Sequence, residues 1–137
     1  MKIKDIMTEK VETLSSNSTI CDAACAMEKA DCGAILVSEG DRLVGMITDR
    51  DIAIRAVAKG LSHDTPISKV MTGKILYCFD DEEIQHVAEN MADIQLRRLP
   101  VLNRDKRLVG VVSLGNIASC RSQKASATVL QGVAKAH

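Results

Sequence analysis

The sequence predicts an α/β protein, of the α+β type, made of two copies of a β-α-β-β-α unit. The first observation behind this prediction is an internal repeat: Ile6-Met7-Thr8 recurs as Val70-Met71-Thr72, at an offset of 64 residues. By Gly45 and Gly110 the offset has become 65, and the inserted residue falls in a polar turn, where a duplicated fold tolerates a change of length. The second observation is that extended and helical apolar patterns follow one another in the same order in both copies.

The elements of each copy follow from the spacing of its apolar residues. A short extended segment precedes a helix, two buried strands joined by a polar turn, and a closing helix. In the first copy the predicted elements are Val11–Leu14, a helix opened by Ser18, Ala34–Ser38, Leu43–Thr48 and a helix at Arg50–Lys59. In the second copy they are Ile75–Phe79, a helix opened by Asp80 or Asp81, Arg98–Leu102, Leu108–Ser113 and a helix from Gly115 onward.

The repeat divides the chain into domains at residues 1–62 and 63–121 and a C-terminal segment at 122–137. Leu61–Lys69, with its Ser-His-Asp-Thr-Pro stretch, is the predicted linker between the copies. Beyond Cys120 the composition turns to Ser, Ala, Gln and Lys, a pattern that leaves a marginal helix and a loose tail both open.

Composition excludes several classes of protein. Hydrophobic residues make up 46% of the chain, and no apolar run approaches the roughly 18 residues of a membrane span. The 18 basic and 18 acidic residues balance, and the only aromatics are one Tyr and one Phe, so a nucleic-acid binder is not expected. The N-terminus lacks the apolar core of a secretory signal, and no motif joins a nucleophile, a base and an orienting acid. We therefore expect a cytoplasmic protein that is not an enzyme and has no catalytic cofactor.

The five cysteines, an odd number at irregular spacing, fit neither a disulfide framework nor a paired zinc motif. Cys21 and Cys25 lie one helical turn apart, which is also the spacing of a metal or redox pair. Gln85 and Glu89 occupy the equivalent positions of the second copy, and this favours a helix flank with no metal.

The order of the elements and three motifs resemble the cystathionine-β-synthase (CBS) domain family. The motifs are Met-Thr ahead of each copy, Arg97-Arg98-Leu99-Pro100-Val101 on a central strand, and the endings Gly45–Asp51 and Gly110–Asn116. The resemblance covers Lys4 to Cys120 and implies a stand-alone tandem pair, or Bateman module. It implies two units packed about a pseudo-two-fold axis, with two clefts that hold adenosyl ligands.

The first candidate site lies where Gly45–Asp51 runs from a strand into a helix start, a place where free N–H groups and the helix dipole favour an anion. The resemblance assigns contacts with ribose and phosphate to the Thr48 hydroxyl and the Asp51 carboxylate. The alternative is structural: Thr48 or Asp49 is an N-cap and Asp51 is an acid of the first turn.

The second candidate site holds Ser113 and Asn116 at the matching positions, and the neutral amide predicts weaker binding than a carboxylate. Arg97 and Arg98 are expected on a central strand, where a buried arginine needs a counter-charge. The resemblance gives them a ligand phosphate, and a structural ion pair is the alternative. The resemblance also places five further positions at the ligand: Val11, Thr13, Arg50, Ile75 and Tyr77.

Together these residues imply a regulatory module that binds an adenine nucleotide in the cleft between two CBS domains and signals to a regulated protein. The expected ligand is AMP, ADP, ATP or an NAD-type dinucleotide, and the cleft with Asp51 is expected to bind more strongly. The alternative is an interaction module whose clefts are filled by its own side chains. A homodimer is expected because family modules commonly associate and the Ala- and Cys-rich helix Ile20–Ala30 suits close packing.

Overall fold

The computed structural model describes residues 1–94 and 97–120, so the predicted C-terminal segment at 122–137 lies outside the described residues. These residues form two compact units: Glu12–Ile75, here the first unit, and Met1–Val11 with the described residues between Leu76 and Cys120, here the second unit. Each has the predicted β-α-β-β-α order and one three-stranded sheet, which confirms the fold class. The packing about a pseudo-two-fold axis stays a prediction.

In the first unit a central strand pairs with one parallel and one antiparallel neighbour. Its elements are β1 (Thr13–Leu14), α1 (Ile20–Ala30), β2 (Ala34–Glu39), β3 (Arg42–Thr48) and α2, an α-helical turn at Asp49–Asp51 that continues as a π-helix at Ile52–Val57. The sheet order is β1-β2-β3.

The second unit repeats this topology with order β4-β5-β6, where β4 is parallel to β5 and β5 is antiparallel to β6. Its elements are β4 (Cys78–Phe79), α3 (Ile84–Ile94), β5 (Arg98–Leu102), β6 (Leu108–Ser113) and α4 (Leu114–Ala118). No helix within residues 1–94 and 97–120 combines the length and the apolar character needed to cross a membrane.

Several predicted boundaries are wrong in detail. Thr19, not Ser18, caps α1: its hydroxyl accepts from the Asp22 N–H at 3.1 Å, and the Asp22 carboxylate accepts from the Thr19 N–H at 3.0 Å. In the second unit α3 begins only at Ile84, and the predicted opener Asp81 instead pairs with an arginine of the β5–β6 turn.

The first strand of each copy is shorter than predicted, so Val11, Ile75 and Tyr77 lie outside the strands. In β4 the parallel register pairs Cys78 with Val101, and continuing it by one residue would place Tyr77 opposite Pro100. Proline has no N–H with which to extend the ladder. Its position accounts for the start of β4 at Cys78 and not at Tyr77.

Each sheet buries one face beneath the helices of its own unit. The core of the first unit includes Ile20, Ala23, Met27, Ile35, Val37 and Ile47. The core of the second includes Ile84, Val87, Met91, Leu99, Val101 and Val112. Because the apolar residues of each helix recur at three- and four-residue spacing, they form the single stripe that covers a sheet.

The two Met-Thr segments pack against the copy that each does not precede. Thr8 and Val111 exchange two backbone hydrogen bonds of 2.9 Å in the second unit, and Thr72 and Met46 do the same in the first. Ile3 is completely buried in the core of the second unit. The segment ahead of each copy thus belongs to the compact unit that contains the other copy. The domain division at residues 62 and 63 stays a prediction.

Glycines in β3 and β6 permit this close approach. A Cβ added at Gly110 would lie 2.8 Å from the Thr8 carbonyl oxygen, and one at Gly45 would lie 3.1 Å from that of Thr72. Both distances are too short for a comfortable contact, so each sheet needs glycine where a Met-Thr segment crosses it.

Candidate ligand-binding faces

The strand-to-helix junction of the first unit is held by a reciprocal cap. The Thr48 hydroxyl accepts from the Asp51 N–H at 3.0 Å, and Asp51 Oδ2 accepts from the Thr48 N–H at 3.1 Å. Asp51 is 8% exposed, and its Oδ1 lies 3.7 Å from Arg55 Nε. The N-cap of the structural alternative is therefore present at Thr48, while Asp51 Oδ1 keeps acceptor capacity beyond the cap and the ligand role stays a prediction.

The second unit builds the same junction from neutral groups. Asn116 Oδ1 accepts from the Ser113 N–H at 2.8 Å and from the Ser113 hydroxyl at 2.9 Å, while the Ser113 hydroxyl oxygen accepts from the Asn116 N–H at 3.1 Å. The cap therefore occupies the amide oxygen and leaves the amide N–H₂ group as the remaining donor.

In the first unit the strand register brings two predicted site residues onto one face of the sheet, the face turned away from the helical core, here called the outer face. Leu14 packs against the core, so its neighbour Thr13 points to the outer face. Thr48 lies opposite Ala34, two residues before the Thr13 partner Leu36, and shares that face. The Thr13 hydroxyl oxygen also accepts from the Ser38 hydroxyl at 2.8 Å.

The outer face of the second unit collects three predicted residues. Arg98 lies directly opposite Ser113, on the side of β5 away from the core residues Leu99 and Val101. Tyr77 precedes the buried Cys78, and its ring meets that of Phe79 edge-on with centroids 5.6 Å apart. The period-two alternation of an extended chain puts Tyr77 and Phe79 on the outer face with Arg98.

The expectation that the paired arginines are buried is wrong. β5 is the central strand as predicted, but Arg98 is its first residue and Arg97 precedes it, and both side chains are exposed. The Arg97 carbonyl accepts from the Leu114 N–H at 2.8 Å and so fixes the start of α4. At the start of this central strand both side chains keep contact with solvent, so burial imposes no need for a counter-charge.

The equivalent positions of the first unit carry no positive charge. Gly33 and Ala34 stand where the second copy has Arg97 and Arg98. The Asp49 carboxylate lies over Gly33, where an added Cβ would be 2.8 Å from Asp49 Oδ2. The first unit thus has hydroxyls on its outer face and a carboxylate over Gly33, where the second unit has aromatic rings and Arg98.

The remaining predicted residues lie apart from these clusters. Arg50 is exposed, and its backbone N–H donates to Asp49 Oδ1 at 2.8 Å. Val11 ends the N-terminal segment of the second unit, and Ile75 ends the first unit. Both are half-buried.

Sequence reasoning missed a cluster next to Tyr77. The Arg104 guanidinium lies 4.1 Å from the centroid of the Phe79 ring and donates to both Asp81 oxygens, at 2.7 and 2.8 Å. The Arg104 guanidinium holds the pKa of the Asp81 carboxyl below its usual value. The sequence signal was weak: the two aromatics lie two residues apart, but their arginine lies in a distant turn.

The described residues contain no group of three or more His, Cys, Asp or Glu side chains suited to a metal ion. Cys21 and Cys25 are exposed on α1, and the side-chain hydrogen bond between them is the main cause that raises the pKa of Cys21. Burial raises the pKa of Cys78 to about 12.

Comparison with known proteins gives consistent matches along most of the chain. A family model for the CBS domain matches residues 3–57 and again residues 67–122. CBS domain-containing protein YhcV of Bacillus subtilis is 42% identical over 116 residues, which cover 85% of this chain and 82% of that protein. The structure of Hypoxic Response Protein I with two coordinated zinc ions superposes with a TM-score of 0.74 at 35% identity, covering 86% and 97% of the two chains. The CBS domain pair of protein MJ0100, in complex with 5′-methylthioadenosine and S-adenosyl-L-methionine, gives 0.70 at 31% identity, covering 86% and 93%.

Proposed function

The chain belongs to the CBS-domain family as a tandem pair, and from this premise we propose that it is a regulatory module that binds an adenine nucleotide and signals to a protein partner. Binding, rather than catalysis, is the proposed activity. The ligands proposed are AMP, ADP, ATP or an NAD-type dinucleotide. The observation that carries the proposal is the gathering of Thr13 and Thr48 on one outer face and of Tyr77, Arg98 and Ser113 on the other.

The composition of these faces suits an adenosyl ligand. Hydroxyl and carboxylate groups accept from ribose hydroxyls, and exposed arginines meet phosphate oxygens. The MJ0100 pair, 31% identical to this chain, binds two adenosyl compounds, 5′-methylthioadenosine and S-adenosyl-L-methionine. That similarity supports an adenosyl ligand here as well.

We propose that ribose binds at Asp51 in preference to Asn116. Asp51 Oδ1 can accept a charge-assisted hydrogen bond in addition to the cap, with Arg55 Nε 3.7 Å away. In the second unit the oxygen of Asn116 already accepts twice from Ser113. A ribose hydroxyl would there meet an amide donor and must itself accept, without any gain from charge.

The test is calorimetric titration with AMP, ADP, ATP, NAD, S-adenosylmethionine and 5′-methylthioadenosine. Asp51→Asn is the matched variant because the second copy carries Asn at this place with its cap formed. We expect Asp51→Asn to weaken binding by about tenfold, or roughly 1.4 kcal/mol, while the melting temperature stays near that of the parent. Asp51→Ala is less informative, since it also removes the cap, at a cost of about 0.5–2 kcal/mol.

Two results would contradict the proposal. If no compound of the panel binds the parent protein, the alternative of an interaction module without a ligand is favoured. If Asn116→Ala weakens binding more than Asp51→Asn does, ribose binds at the second unit and not at the first.

We also propose a cytoplasmic homodimer that associates through α1. Cys21, Ala24 and Cys25 are exposed on this helix, and their short side chains allow a second helix to approach closely. No disulfide joins any of the five cysteines, in keeping with a reducing compartment. Light scattering at micromolar concentration should give twice the chain mass, and Ala24→Arg should halve it. A monomer mass for the parent protein would refute the dimer.

A further inference from the structure

Two exposed thiols lie together at the start of α1. Cys21 and Cys25 are one helical turn apart, and their side chains share a hydrogen bond. Residues at this spacing lie on the same side of a helix. The equivalent side chains of the second unit also meet, since Gln85 Nε2 donates to Glu89 Oε1 at 3.1 Å. The contact between the thiols therefore follows from their positions on the helix, which bring side chains together in both units.

The turn that carries the thiols is held by the segment that links the copies. As the second residue of α1, Cys21 has an N–H with no partner inside the helix. This N–H donates to the His63 carbonyl at 3.1 Å, and that of Ile20 donates to the Thr65 carbonyl at 2.9 Å. The Thr19 cap holds the same turn from its start. The thiol pair thus lies on backbone that is fixed by hydrogen bonds from two sides.

The geometry of the pair suits a bridging metal ion better than a disulfide. The Cβ atoms of residues four apart on a helix are separated by about 5–6 Å. A disulfide needs a Cβ separation of about 3.5–4.5 Å, so the helix would have to distort to form one. A metal ion bonded to each sulfur at about 2.3 Å, the length of a zinc–thiolate bond, spans the wider gap. An ion can therefore join the two sulfurs while α1 stays helical.

The number of donors selects the kind of ion. Across the described part of both units, no third His, Cys, Asp or Glu side chain completes a metal-binding group with this pair. Zn²⁺ takes at least three protein ligands, and Ca²⁺ and Mg²⁺ prefer oxygen, so two sulfurs alone do not suit these ions. Thiolates select Cu(I), a soft ion that is stable with two ligands in a line.

We propose that Cys21 and Cys25 form a site for one monovalent copper ion in the first unit. Two Cu–S bonds form as both S–H protons leave to solvent, so the ion keeps its oxidation state and no oxidant is needed. Because two protons leave and one cation arrives, the site becomes more negative by one charge. The hydrogen bond with Cys25 raises the pKa of Cys21, and the charges of Asp22 and Asp64 add to this effect. These carboxylates therefore oppose the binding of the ion and do not ligate it.

This site is separate from the proposed nucleotide-binding faces and does not rest on them. It lies on α1, on the helical side of the sheet, whereas Thr13 and Thr48 lie on the outer face. The second unit has Gln85 and Glu89 at the equivalent positions, so only the first unit takes an ion. The homodimer proposed above uses the same side of α1. Copper binding and association through α1 therefore exclude each other.

The test is anaerobic competition with bicinchoninate, whose Cu(I) complex is coloured. The reduced parent protein should withdraw one ion per chain. Cys21→Ser and Cys25→Ser should each weaken binding by at least about tenfold, while the melting temperature stays near that of the parent because both side chains are exposed. Cys32→Ser, which removes a half-buried thiol, is the matched control and should change neither quantity.

Two further variants test the geometry and the charge of the site. Gln85→Cys combined with Glu89→Cys places the same pair on α3 and should raise the capacity to two ions per chain. Asp64→Asn should strengthen binding about twofold to threefold, since it removes an opposing charge at an exposed position. Weaker binding in Asp64→Asn would show that the carboxylate is a ligand, which would refute the two-thiol site.

The remaining outcomes separate this inference from the proposed function. If both serine variants bind copper as tightly as the parent, the ion binds elsewhere and the site is refuted. One ion for every two chains, with a dimer mass in light scattering, would refute a site within one chain. If the parent takes one ion per chain but binds no nucleotide, the copper site stands and the proposed function has failed.

Discussion

Replacing Ile3 by Ala tests whether the segment ahead of the first copy packs in the core of the second unit. Ile3 is completely buried against the core of the second unit, although it precedes the first copy in sequence. The substitution removes three carbon groups at about 0.8 kcal/mol each, so the transfer term alone is about 2.4 kcal/mol. The cavity left behind adds to this, and we expect a loss of about 3–4 kcal/mol, within the range of 2–5 for buried Ile to Ala.

Hydrogen exchange followed by mass spectrometry locates the effect. Ile3→Ala should lower the protection of α3 and β5 and leave that of α1 and β2 unchanged, because the lost contacts belong to the second unit. Lys4→Ala, a change at the exposed neighbouring position, is the control and should alter unfolding by less than about 0.5 kcal/mol. Loss of protection in α1 instead of α3, or equal effects of the two variants, would refute this packing of the segment.

Three further outcomes follow from individual contacts. Gly110→Ala should cost about 1–3 kcal/mol and more than Gly45→Ala, since an added Cβ lies nearer to backbone at the first position; equal urea midpoints would contradict this. The lowered pKa of Asp81 means that its stabilising contribution is present above the ordinary value of 3.8 and disappears as pH falls through the lower folded value. Urea midpoints measured between pH 6 and pH 3 should fall less steeply for Asp81→Asn than for the parent, and parallel curves would exclude this contribution. Because burial raises the pKa of Cys78 to about 12, iodoacetamide at pH 8 should label Cys25 first and Cys78 only on unfolding, and early labelling of Cys78 would show an open core.

Local pattern predicted the strands that carry long apolar runs. Arg98–Leu102 and Leu108–Ser113 are found at their predicted bounds, and the inserted residue lies in a hairpin turn as expected. These elements could be predicted from their own sequence, because a near-continuous apolar run between polar turns is typical of a buried strand, and four of the five residues of β5 are buried. The capping role of Thr48 was likewise visible as one of the alternatives, since hydroxyl and carboxylate three residues apart form a capping box.

Features that depend on distant partners could not be predicted in this way. The Asp81–Arg104 pair joins residues 23 positions apart in sequence. The residues next to Phe79 in the sequence do not indicate that the Arg104 guanidinium packs on its ring. The exposure of Arg98 depends on its place at the end of β5, which a search for apolar runs does not resolve. The local sequence also cannot show which copy each Met-Thr segment packs against, because both copies are preceded by a similar segment.

The packing of these segments imposes an order on folding during synthesis. The first unit is contiguous, so it has all its parts once Ile75 has left the ribosome. The second unit must join Met1–Val11 to a sheet that is synthesised last, and the chain between these two parts contains the whole first unit. Contacts between parts so far apart in sequence raise contact order and slow folding. We expect the N-terminal segment to stay undocked until β6 is complete, so that the two copies, although similar in sequence, mature one after the other.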